Sequence, residues 1–393
     1  MTDPLVWLAG LTAVIWLYLL GFHHRFWRAD QRLDHDLPEP ERWPGVVAVV
    51  PARNEAEVIG RTLGALAAQV YPGAFSIVLV NDSSTDGTGE IARNIVNAGL
   101  LAPVQVLDGR PLAEGWTGKL WALDQGVAQA RTMAPDASYL WFTDADIEHD
   151  QDTLRRLVAK AEAGRRDLVS LMVRLSCESF WERLIIPAFV FFFQMLYPFP
   201  AVNRDGVKIA GAAGGCVLLR RAMLDRIGGI EAIKGALIDD CALAGAVKRS
   251  GGGLWLGLGE ESRGIRPYQG LGELWDMIAR GAYTQLRFSP MLLVGTVAGM
   301  AITYLAPALI GAGFLVHQNP AAGMLGAGAW LLMIGCYAPT LSYYRLPWVN
   351  GLLLPIVAGL YTLMTIDSAW RHWRGRGGQW KQRHYAARKT DSC

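Results

Sequence analysis

Two stretches decide the fold of this chain: VVAVVPARNE at residues 46–55 and YLWFTDADIE at residues 139–148. Each begins with a short run of large apolar or β-branched residues and passes directly into a polar cluster. Two further runs, IVLV at 77–80 and VQVL at 104–107, are equally apolar. Continuous apolar runs of this length are typical of strands that are buried on both faces of a parallel sheet.

Helical patterns alternate with these four strands. They lie near residues 55–69, 86–98, 118–131 and 151–163. Such alternation predicts an open α/β sheet. Ligands of open α/β sheets bind beyond the carboxyl ends of the strands, where the polar residues of this chain cluster. We therefore expect a binding site along that edge.

The composition indicates a protein that is partly embedded in lipid. Of the 393 residues 52% are hydrophobic and only 18% are charged, against about 25% charged residues in soluble domains. The net charge of +2 is too small to favour a nucleic-acid partner. The five cysteines form no CxxC pair, so neither a disulfide framework nor a zinc site is expected.

The N-terminal segment predicts a transmembrane anchor within residues 1–28. Residues 5–22 carry no charge over 18 positions, about the length needed to cross a ~30 Å hydrocarbon core. A signal peptide is the alternative, but no basic region precedes the apolar run and no small-residue cleavage site follows it. The basic cluster HHRFWR at 23–28 places that end in the cytoplasm and the N-terminus outside.

The C-terminal region, residues 290–369, predicts two or three further transmembrane helices. Its uncharged runs lie at 291–316, 322–341 and 349–366 and are rich in glycine and alanine, as in helices that pack through small residues. The basic tail, residues 370–393, should also be cytoplasmic, which three crossings would not allow. We expect 349–366, after Pro347, to be re-entrant or interfacial; the alternative is that the charge rule fails here.

One apolar segment has a different character. Residues 184–202 contain Pro187, Gln194, Pro198 and Pro200 and lie between two acidic clusters that we expect to share one site. A single crossing would separate those clusters. The segment, taken as 180–203, is therefore predicted to lie in or dip into the membrane interface; a buried helix of the soluble domain is the alternative.

Four polar clusters carry the candidate chemistry. They are PARNE at 51–55, VNDSSTDGT at 80–88, FTDADIE at 142–148 and IDDCAL at 238–243. Each has a simple local explanation by itself, because aspartates cap helices, Asp-Ser-Gly clusters form turns, and adjacent acids often begin a solvated helix. Their order and spacing within one α/β domain favour a shared site instead.

Carboxylates in this arrangement suit the transfer of a group from a nucleoside diphosphate. The departing diphosphate develops negative charge, which a divalent cation held by carboxylate oxygen neutralises. Of the pair in FTDAD, one carboxylate can contact the ribose and the other the metal. Attack by an acceptor hydroxyl also needs a base, which Asp240 can supply.

Two other phosphate-binding loops are excluded. No GxGxxG follows the first strand, where the residues are PARNE. The stretch EGWTGKL at 114–120 is not a Walker A loop, because Ala113 stands where the first glycine is needed and Leu120 replaces Ser/Thr.

Residues 43–290 resemble family 2 glycosyltransferases of the GT-A fold. PARNE is similar to their P-x-x-N-E, VNDSSTDGT to N-D-x-S-x-D-x-T, FTDAD to their DxD, and IDDCAL to the (E/D)-D-x-x-L acceptor motif. The resemblance implies a GT-A catalytic domain over residues 43–285. With WTGKLWAL, GGCVLLRR and WKQRHY, the layout most resembles the hopene-associated glycosyltransferases of hopanoid-making bacteria.

The resemblance implies a role for each matched residue. Asp82 would contact the nucleotide base, Asp144 the ribose or diphosphate, and Asp146 a Mg²⁺ or Mn²⁺ ion, while Asp240 would act as the base. The nucleotide pocket would include Pro51, Ala52 and Glu55, with Lys119 facing the diphosphate unless it is a surface lysine. The sugar and acceptor pocket would include Gly214, Gly215, Cys216 and Asp239.

The chain departs from the family in one place. Processive members carry Q-x-x-R-W, where residues 277–281 are MIARG. The Arg is kept as Arg280, a candidate diphosphate clamp or, alternatively, an interfacial helix arginine. The missing Gln and Trp favour transfer of a single sugar over chain extension.

We therefore expect an inverting, metal-dependent glycosyltransferase of the inner (cytoplasmic) membrane. It would move one sugar from a nucleotide-sugar donor to a membrane lipid acceptor, a hopanoid or related isoprenoid, at the cytoplasmic face. A polyprenyl-phosphate sugar synthase is the main alternative, and a processive polysaccharide synthase or an inactive membrane scaffold are weaker ones.

Overall fold

The computed structural model describes residues 3–375, 379–380 and 383–384. Its strands are β1 (Val46–Ala52), β2 (Phe75–Asn81), β3 (Val104–Asp108), β4 (Tyr139–Thr143), β5 (Ile147–His149), β6 (Leu168–Arg174), β7 (Cys216–Arg220), β8 (Leu254–Gly264), β9 (Gln379–Trp380) and β10 (Arg383–His384). Its α-helices are α1 (Pro4–Gly21), α2 (Ile59–Ala67), α3 (Thr88–Asn97), α4 (Gly118–Met133), α5 (Thr153–Ala163), α6 (Phe180–Leu196), α7 (Phe199–Val202), α8 (Arg221–Arg226), α9 (Asp239–Arg249), α10 (Leu271–Gln285), α11 (Pro290–Met300), α12 (Ala306–Ala312), α13 (Phe314–His317), α14 (Pro320–Tyr343) and α15 (Leu354–Trp373).

An eight-stranded mixed sheet in the order β3-β2-β1-β4-β7-β6-β8-β5 forms the soluble part. Strands β1 to β4 pair in parallel, as predicted. Strand β7 pairs antiparallel with both β4 and β6, so it runs against the four predicted strands. The sequence did not predict β5 to β8. The predicted open α/β sheet is confirmed, and its second half is mixed rather than parallel.

The alternation of side chains along β1 divides the core into two layers. Val46, Ala48 and Val50 belong to the layer that includes α2 and α5, whereas Val47 and Val49 face the layer of α4. Helix α4 lies very close to the sheet, because a Cβ at Gly126 would come within 2.3 Å of Val49. Only a residue without a side chain permits that approach.

Among the residues that the structure describes, five helical segments are long and apolar enough to cross a membrane. They are Pro4–Gly21, Phe180–Val202, Pro290–Ala312, Pro320–Tyr343 and Trp348–Trp373. Large apolar side chains on several of them are exposed, including Trp7 at 68% and Met291 at 86%. Such extensive apolar exposure is the surface expected of a protein in contact with lipid.

Helix α1 is fixed to the 290–312 segment by one buried indole. Trp16 is fully buried, and its Nε1 donates to the carbonyl oxygen of Thr303 at 2.8 Å. That carbonyl lies in a π-helical turn, Ala301–Leu305, four residues before Pro307. Since proline has no N–H, it cannot supply the α-helical bond to Thr303.

The segment predicted to be interfacial, α6 with α7, returns to the domain from which it leaves. At its start Glu182 accepts a hydrogen bond from the backbone N–H of Tyr268 at 2.9 Å. At its end the side chain of Asn203 bonds to both backbone polar groups of Leu256 in β8. Within the most apolar 18 residues of the segment, 67% are buried, as expected for the alternative of a buried helix. The depth of the segment relative to a membrane surface stays a prediction.

The last apolar segment also begins and ends beside the soluble domain. Before it, the hydroxyl of Tyr343 donates to the carbonyl oxygen of Gly259 in β8 at 2.9 Å. Near its end Asp367 accepts a hydrogen bond from Trp275 of α10 at 2.7 Å. The re-entrant assignment of 349–366 stays a prediction, and this geometry supports it. Most of the basic tail lies outside the described residues.

Candidate functional site

A small pocket that opens to solvent lies at the carboxyl ends of β1 and β4. The end of β1 contributes Pro51, the start of α4 contributes Lys119, and the end of β4 contributes Asp144. Helix α9 contributes Asp239 and Asp240 from its first turn, and the remaining lining residues are Leu120, Leu123, Phe142, Thr143, Gly214, Val217, Ile230, Ile233 and Leu243. The pocket therefore lies at the edge of the sheet where the sequence predicts a binding site.

Lys119 joins the two acidic motifs. Its Nζ lies 2.9 Å from Oδ1 of Asp144 and 3.2 Å from Oδ2 of Asp239. Burial alone would lower the pKa of Lys119, but these two carboxylates raise it well above its ordinary value. The lysine therefore stays charged at neutral pH. It is not the surface residue considered as the alternative, because only 19% of its side chain is exposed.

Asp240 is held by two backbone N–H groups. Gly214 donates to its Oδ2 at 2.8 Å, and Cys241 donates to its Oδ1 at 2.7 Å. Burial, together with the neighbouring charge of Asp239, raises the pKa of Asp240 to about 6, although Lys119 opposes the shift. The carboxylate is thus fixed in orientation and is a stronger base than an ordinary aspartate.

Position 214 requires a glycine because two polar side chains lie close to its Cα. A Cβ at this position would lie 3.0 Å from Nζ of Lys119 and 3.3 Å from Oδ2 of Asp240. Gly215 has a different environment, since its Cβ would meet Val173 at 3.0 Å and its carbonyl accepts from Thr143. Gly214 therefore borders the pocket, whereas Gly215 packs beneath it.

Asp146 is the candidate metal ligand. Its side chain is 30% exposed, and its Oδ2 lies 3.8 Å from Nε of Arg266. Among the residues that the structure describes, no group of three or more His, Cys, Asp or Glu side chains could hold a metal ion. A carboxylate is the ligand type that Mg²⁺ and Mn²⁺ favour, so Asp146 fits a cation that takes its other oxygens from a bound ligand.

The loops after β1 and β2 are tied together by side chains of both motifs. Asn54 accepts from the N–H of Thr85 at 2.9 Å, and Asp86 accepts from the N–H of Ala56 at 2.9 Å. Asp82 is fully buried, and its N–H donates to the carbonyl of Ala52 at 2.8 Å. VNDSSTDGT therefore forms a turn, and this turn lies where the nucleotide is expected to bind. The two interpretations are compatible.

Glu55 is buried beside a residue that the sequence did not single out. It is 5% exposed and forms an ion pair with Arg266, which lies between β8 and α10. Arg266 therefore lies beside Glu55 of PARNE and beside Asp146, the second aspartate of FTDAD. No motif marks it, and the only sequence signal is an arginine in the Gly- and Pro-containing stretch RGIRPYQG at 263–270.

His149 supports the strand end from below. Its Nε2 lies 2.7 Å from the hydroxyl of Thr143, and its Nδ1 lies 2.9 Å from the hydroxyl of Ser262. Burial lowers the pKa of His149 to about 3, so the imidazole is neutral. It links β4, β5 and β8 just before Asp144. This network was not predicted, because Ser262 joins it from 113 residues further along the chain.

Seven predicted site residues are not among those that line this pocket: Ala52, Glu55, Asp82, Asp146, Gly215, Cys216 and Arg280. The thiol of Cys216 is buried on the opposite face of β7, where it accepts a hydrogen bond from Trp141 at 3.3 Å. Successive strand residues point to opposite faces, so Val217 rather than Cys216 lines the pocket. Arg280 is exposed on α10 and is not among the lining residues.

The open sheet, with carboxylates and a lysine gathered at its strand ends, defines an α/β domain of the GT-A glycosyltransferase type. Residues 47–228 match the family model described as "Glycosyl transferase family 2". This part of the chain is therefore a family 2 glycosyltransferase domain.

A curated relative supports the same class of domain. The 4,4'-diaponeurosporenoate glycosyltransferase of Staphylococcus aureus is 31% identical over 136 residues, which are 34% of this chain and 33% of the relative. The chain thus matches about a third of that relative's length.

A solved structure is similar over nearly the whole chain. It is the mannosyltransferase PcManGT from Pyrobaculum calidifontis, in complex with GDP-Man and Mn²⁺. The TM-score is 0.55 at 19% identity, and the match covers 91% of this chain and 99% of that one. At this identity the likeness establishes the fold.

Proposed function

We propose that this protein transfers a single sugar from a nucleoside diphosphate donor to the hydroxyl of a membrane lipid, with inversion at the anomeric carbon. One observation carries the proposal. Lys119 ties Asp144, at the end of β4, to Asp239, which precedes Asp240. Donor-side and acceptor-side carboxylates therefore face one pocket.

The donor would bind at the ends of β1, β2 and β4. Asp82 would recognise the base, Pro51 and Ala52 would border it, and Asp144 would contact the ribose or diphosphate. The charged ammonium of Lys119 would approach a phosphate oxygen and leave Asp144 partly free. Such fixed charges stabilise negative charge that develops on a leaving group.

The proposal includes a divalent cation at Asp146. Bound there with the diphosphate oxygens, Mg²⁺ or Mn²⁺ would neutralise the charge of the leaving group. The Mn²⁺ in the similar mannosyltransferase and the carboxylate chemistry of Asp146 support this assignment.

Asp240 would act as the general base. Its carboxylate would take the proton of the acceptor hydroxyl while the hydroxyl oxygen forms a bond to the anomeric carbon and the bond to the diphosphate breaks. A single displacement of this kind inverts the anomeric configuration. The elevated pKa of about 6 suits a base that operates near neutral pH.

A lipid acceptor is supported by the surroundings of the site. Helix α6 connects the acidic motifs while its Phe191 packs between Phe26, which follows α1, and Tyr337 of α14. The relative named for 4,4'-diaponeurosporenoate also supports such an acceptor. A hopanoid or related polycyclic isoprenoid is the first candidate, on the resemblance of the sequence layout.

The distribution of arginines supports a cytoplasmic domain in the inner membrane. Arg25, Arg287 and Arg345 are exposed at the ends of helices beside the soluble domain. At the opposite end of the helices Asn319 donates to Asp3 at 2.7 Å, and the connection at 313–319 contains no lysine or arginine. Cytoplasmic ends of spans carry the excess of Lys and Arg.

The test is product formation by the purified full-length protein in detergent. Nucleotide-sugars, Mg²⁺ or Mn²⁺ and a hydroxylated lipid extract are expected to yield a β-linked glycolipid. Asp240→Asn should lose most of this activity, whereas the exposed control Asp136→Asn should keep it. The proposal fails if no donor gives a product, or if Asp240→Asn is fully active.

The same pair of variants separates the polyprenyl-phosphate alternative. A phosphate acceptor is already an anion, so Asp240→Asn would change its glycosylation much less than that of a hydroxyl acceptor. Comparing one acceptor of each kind with the same donor identifies the acceptor class.

A further inference from the structure

Arg266 lies between two parts of the candidate donor site. Its guanidinium forms an ion pair with the buried Glu55 through Nη2. Its Nε lies 3.8 Å from the carboxylate of Asp146, within ion-pair distance but too far for a hydrogen bond. One arginine thus stands between the loop after β1 and the candidate metal ligand after β4.

The part of the chain that the structure describes offers no hydrogen-bond acceptor to the Nε–H of Arg266. The atom is inaccessible to solvent and has no partner among the described residues, although 34% of the side chain is exposed. Buried N–H groups are nearly always paired, and an unpaired one at a functional site is consistent with a role in binding or catalysis. Nε faces the carboxylate of Asp146 at 3.8 Å, so a group that binds at Asp146 can supply the acceptor.

We propose that Arg266 binds the diphosphate of the donor and that Glu55 aims it. This inference rests on the proposed function and deepens it. A diphosphate oxygen supplies the anion that a guanidinium recognises, and the same group supplies oxygens to a cation at Asp146. Glu55 acts through Arg266: it fixes Nη2 and leaves Nε directed toward the ligand.

The geometry favours Arg266 over the arginine predicted from sequence. Arg280 lies exposed on α10, and within residues 3–375 it forms no ion pair. Arg266 has a fixed orientation through Glu55, which lowers the entropy lost on binding. Arg280, which stands at the position of the Q-x-x-R-W motif, is thus not needed for the contact with the diphosphate.

The experiment measures ligand binding rather than turnover. Isothermal titration of the full-length protein in detergent compares UDP and GDP with uridine and guanosine, first in EDTA and then with Mn²⁺. The variants are Arg266→Met, which removes the guanidinium, Arg266→Lys, which keeps the charge, and Glu55→Gln. Arg263→Met, at an exposed arginine of β8, is the matched control.

Wild-type protein is expected to bind one diphosphate more tightly than its nucleoside in EDTA. Arg266→Met should weaken that diphosphate about 10-fold or more and leave the nucleoside unchanged. Arg266→Lys and Glu55→Gln should give intermediate losses, and Arg263→Met none. Thermal unfolding of each variant reports whether the fold is retained.

Two outcomes separate this inference from the proposed function. If the wild type binds a diphosphate and Arg266→Met binds it equally well, or loses diphosphate and nucleoside alike, the role of Arg266 is wrong while donor binding stands. If the wild type binds no nucleoside diphosphate even with Mn²⁺, the proposed function and this inference both fail.

Discussion

Lys119 shows how a single residue determines the charge of the site. Asp144, Asp239 and Asp240 surround the pocket, and one ammonium contacts the first two of them. Burial raises the pKa of Asp144, and the neighbouring carboxylates of Asp146 and Asp239 add to the shift while Lys119 opposes it. Burial and Asp239 likewise raise the pKa of Asp240. A site with this surplus of negative charge favours a ligand that arrives with a cation.

The approach of Lys119 and Asp240 to Gly214 makes this glycine sensitive to substitution. Gly214→Ala would place a Cβ 3.0 Å from the lysine Nζ and 3.3 Å from the aspartate Oδ2, so one of the two must move. We expect kcat/KM to fall about 10-fold or more, equivalent to ~1.4 kcal/mol of transition-state stabilisation. The measurement is initial rate against donor and acceptor concentration.

A matched control is available in α2. Gly64→Ala adds the same methyl group where nothing lies within 4 Å, and alanine is favoured in helices. It should leave the rate and the thermal stability essentially unchanged. Full activity in Gly214→Ala would show that Lys119 and Asp240 need not keep their present positions.

The elevated pKa of Asp240 predicts a pH dependence. A general base works only when it is deprotonated, so kcat/KM should rise tenfold per pH unit below about 6 and level off above it. The value follows from the pKa of about 6 for this carboxyl, and Lys119 stays protonated throughout. Rates from pH 5 to 8, with fluorescence to verify folding, test it. A flat profile through this range for a hydroxyl acceptor would contradict the assignment.

For single residues, the sequence predicted which side-chain types belong to the site better than it predicted where those side chains point. Asp144 follows the end of β4, whereas Lys119 lies in the first turn of α4 and Asp239 and Asp240 lie in the first turn of α9. The order and spacing of their motifs favoured a shared site. Cys216 was placed wrongly because its orientation depends on the pairing of β7, which was not predicted. Arg266 was not identified, since its contacts to Glu55 and Asp146 span more than a hundred residues of chain.

Among the elements, the four parallel strands of one half of the sheet were predicted, and the four strands of the other half were not. Strands β1 to β4 are short apolar runs that alternate with helices. Strand β5 has only three residues, and β8 contains Gly257 and Gly259 within its apolar part. Strand β8 is placed by its pairing with β6, and β5 by its pairing with β8. These pairings join distant parts of the chain and have no local sequence signal.

Helix α6 illustrates a local signal combined with a tertiary role. Ser179 and Glu182 form a capping box at its first turn, which fixes where the helix begins. The other oxygen of Glu182 accepts from Tyr268 and thereby joins the helix to the loop after β8. Proline at 187 inside the helix did not prevent its formation, because the segment is packed on most sides.

The contact between Trp16 and Thr303 predicts a measurable contribution to stability. Trp16→Phe keeps an aromatic ring against Tyr304, which now lies 5.5 Å from the indole, but removes the donor to a carbonyl that Pro307 cannot satisfy. The expected loss is about 1–2 kcal/mol. Thermal unfolding in detergent should show a lower Tm for Trp16→Phe and little change for Trp348→Phe, whose side chain is 66% exposed. Equal Tm shifts would contradict this role.

On the scale of the whole molecule, the acidic motifs restrict how the apolar segments can cross a membrane. The contacts of Lys119 require the chain before and after α6 to be on one side. The contacts of Tyr343 and Asp367 place both ends of 344–367 beside the soluble domain. Only α1 and the hairpin of 290–312 with 320–343 then need to cross. The conflict between three C-terminal crossings and a cytoplasmic tail disappears in this arrangement.

Labelling of single cysteines tests this topology. Three probes are compared in a background in which Cys177, Cys216, Cys241 and Cys336 are alanine. They are Asp136→Cys in an exposed loop of the soluble domain, Gln318→Cys at the exposed tip of the hairpin, and the native Cys393 of the tail. The first two also carry Cys393→Ser. Each is treated with a membrane-impermeant maleimide in sealed, inverted membrane vesicles.

The cytoplasmic face is outside in such vesicles, so Asp136→Cys and Cys393 should react at once. Gln318→Cys should react only after detergent is added, because a 24-residue helix such as Pro320–Tyr343 is long enough to place its start across the ~30 Å core. Reaction of Gln318→Cys from the same face as Asp136→Cys would rule out the hairpin. Protection of Cys393 would instead mean that 349–366 crosses fully, and the excess arginines at the other helix ends would then no longer predict the side of the tail.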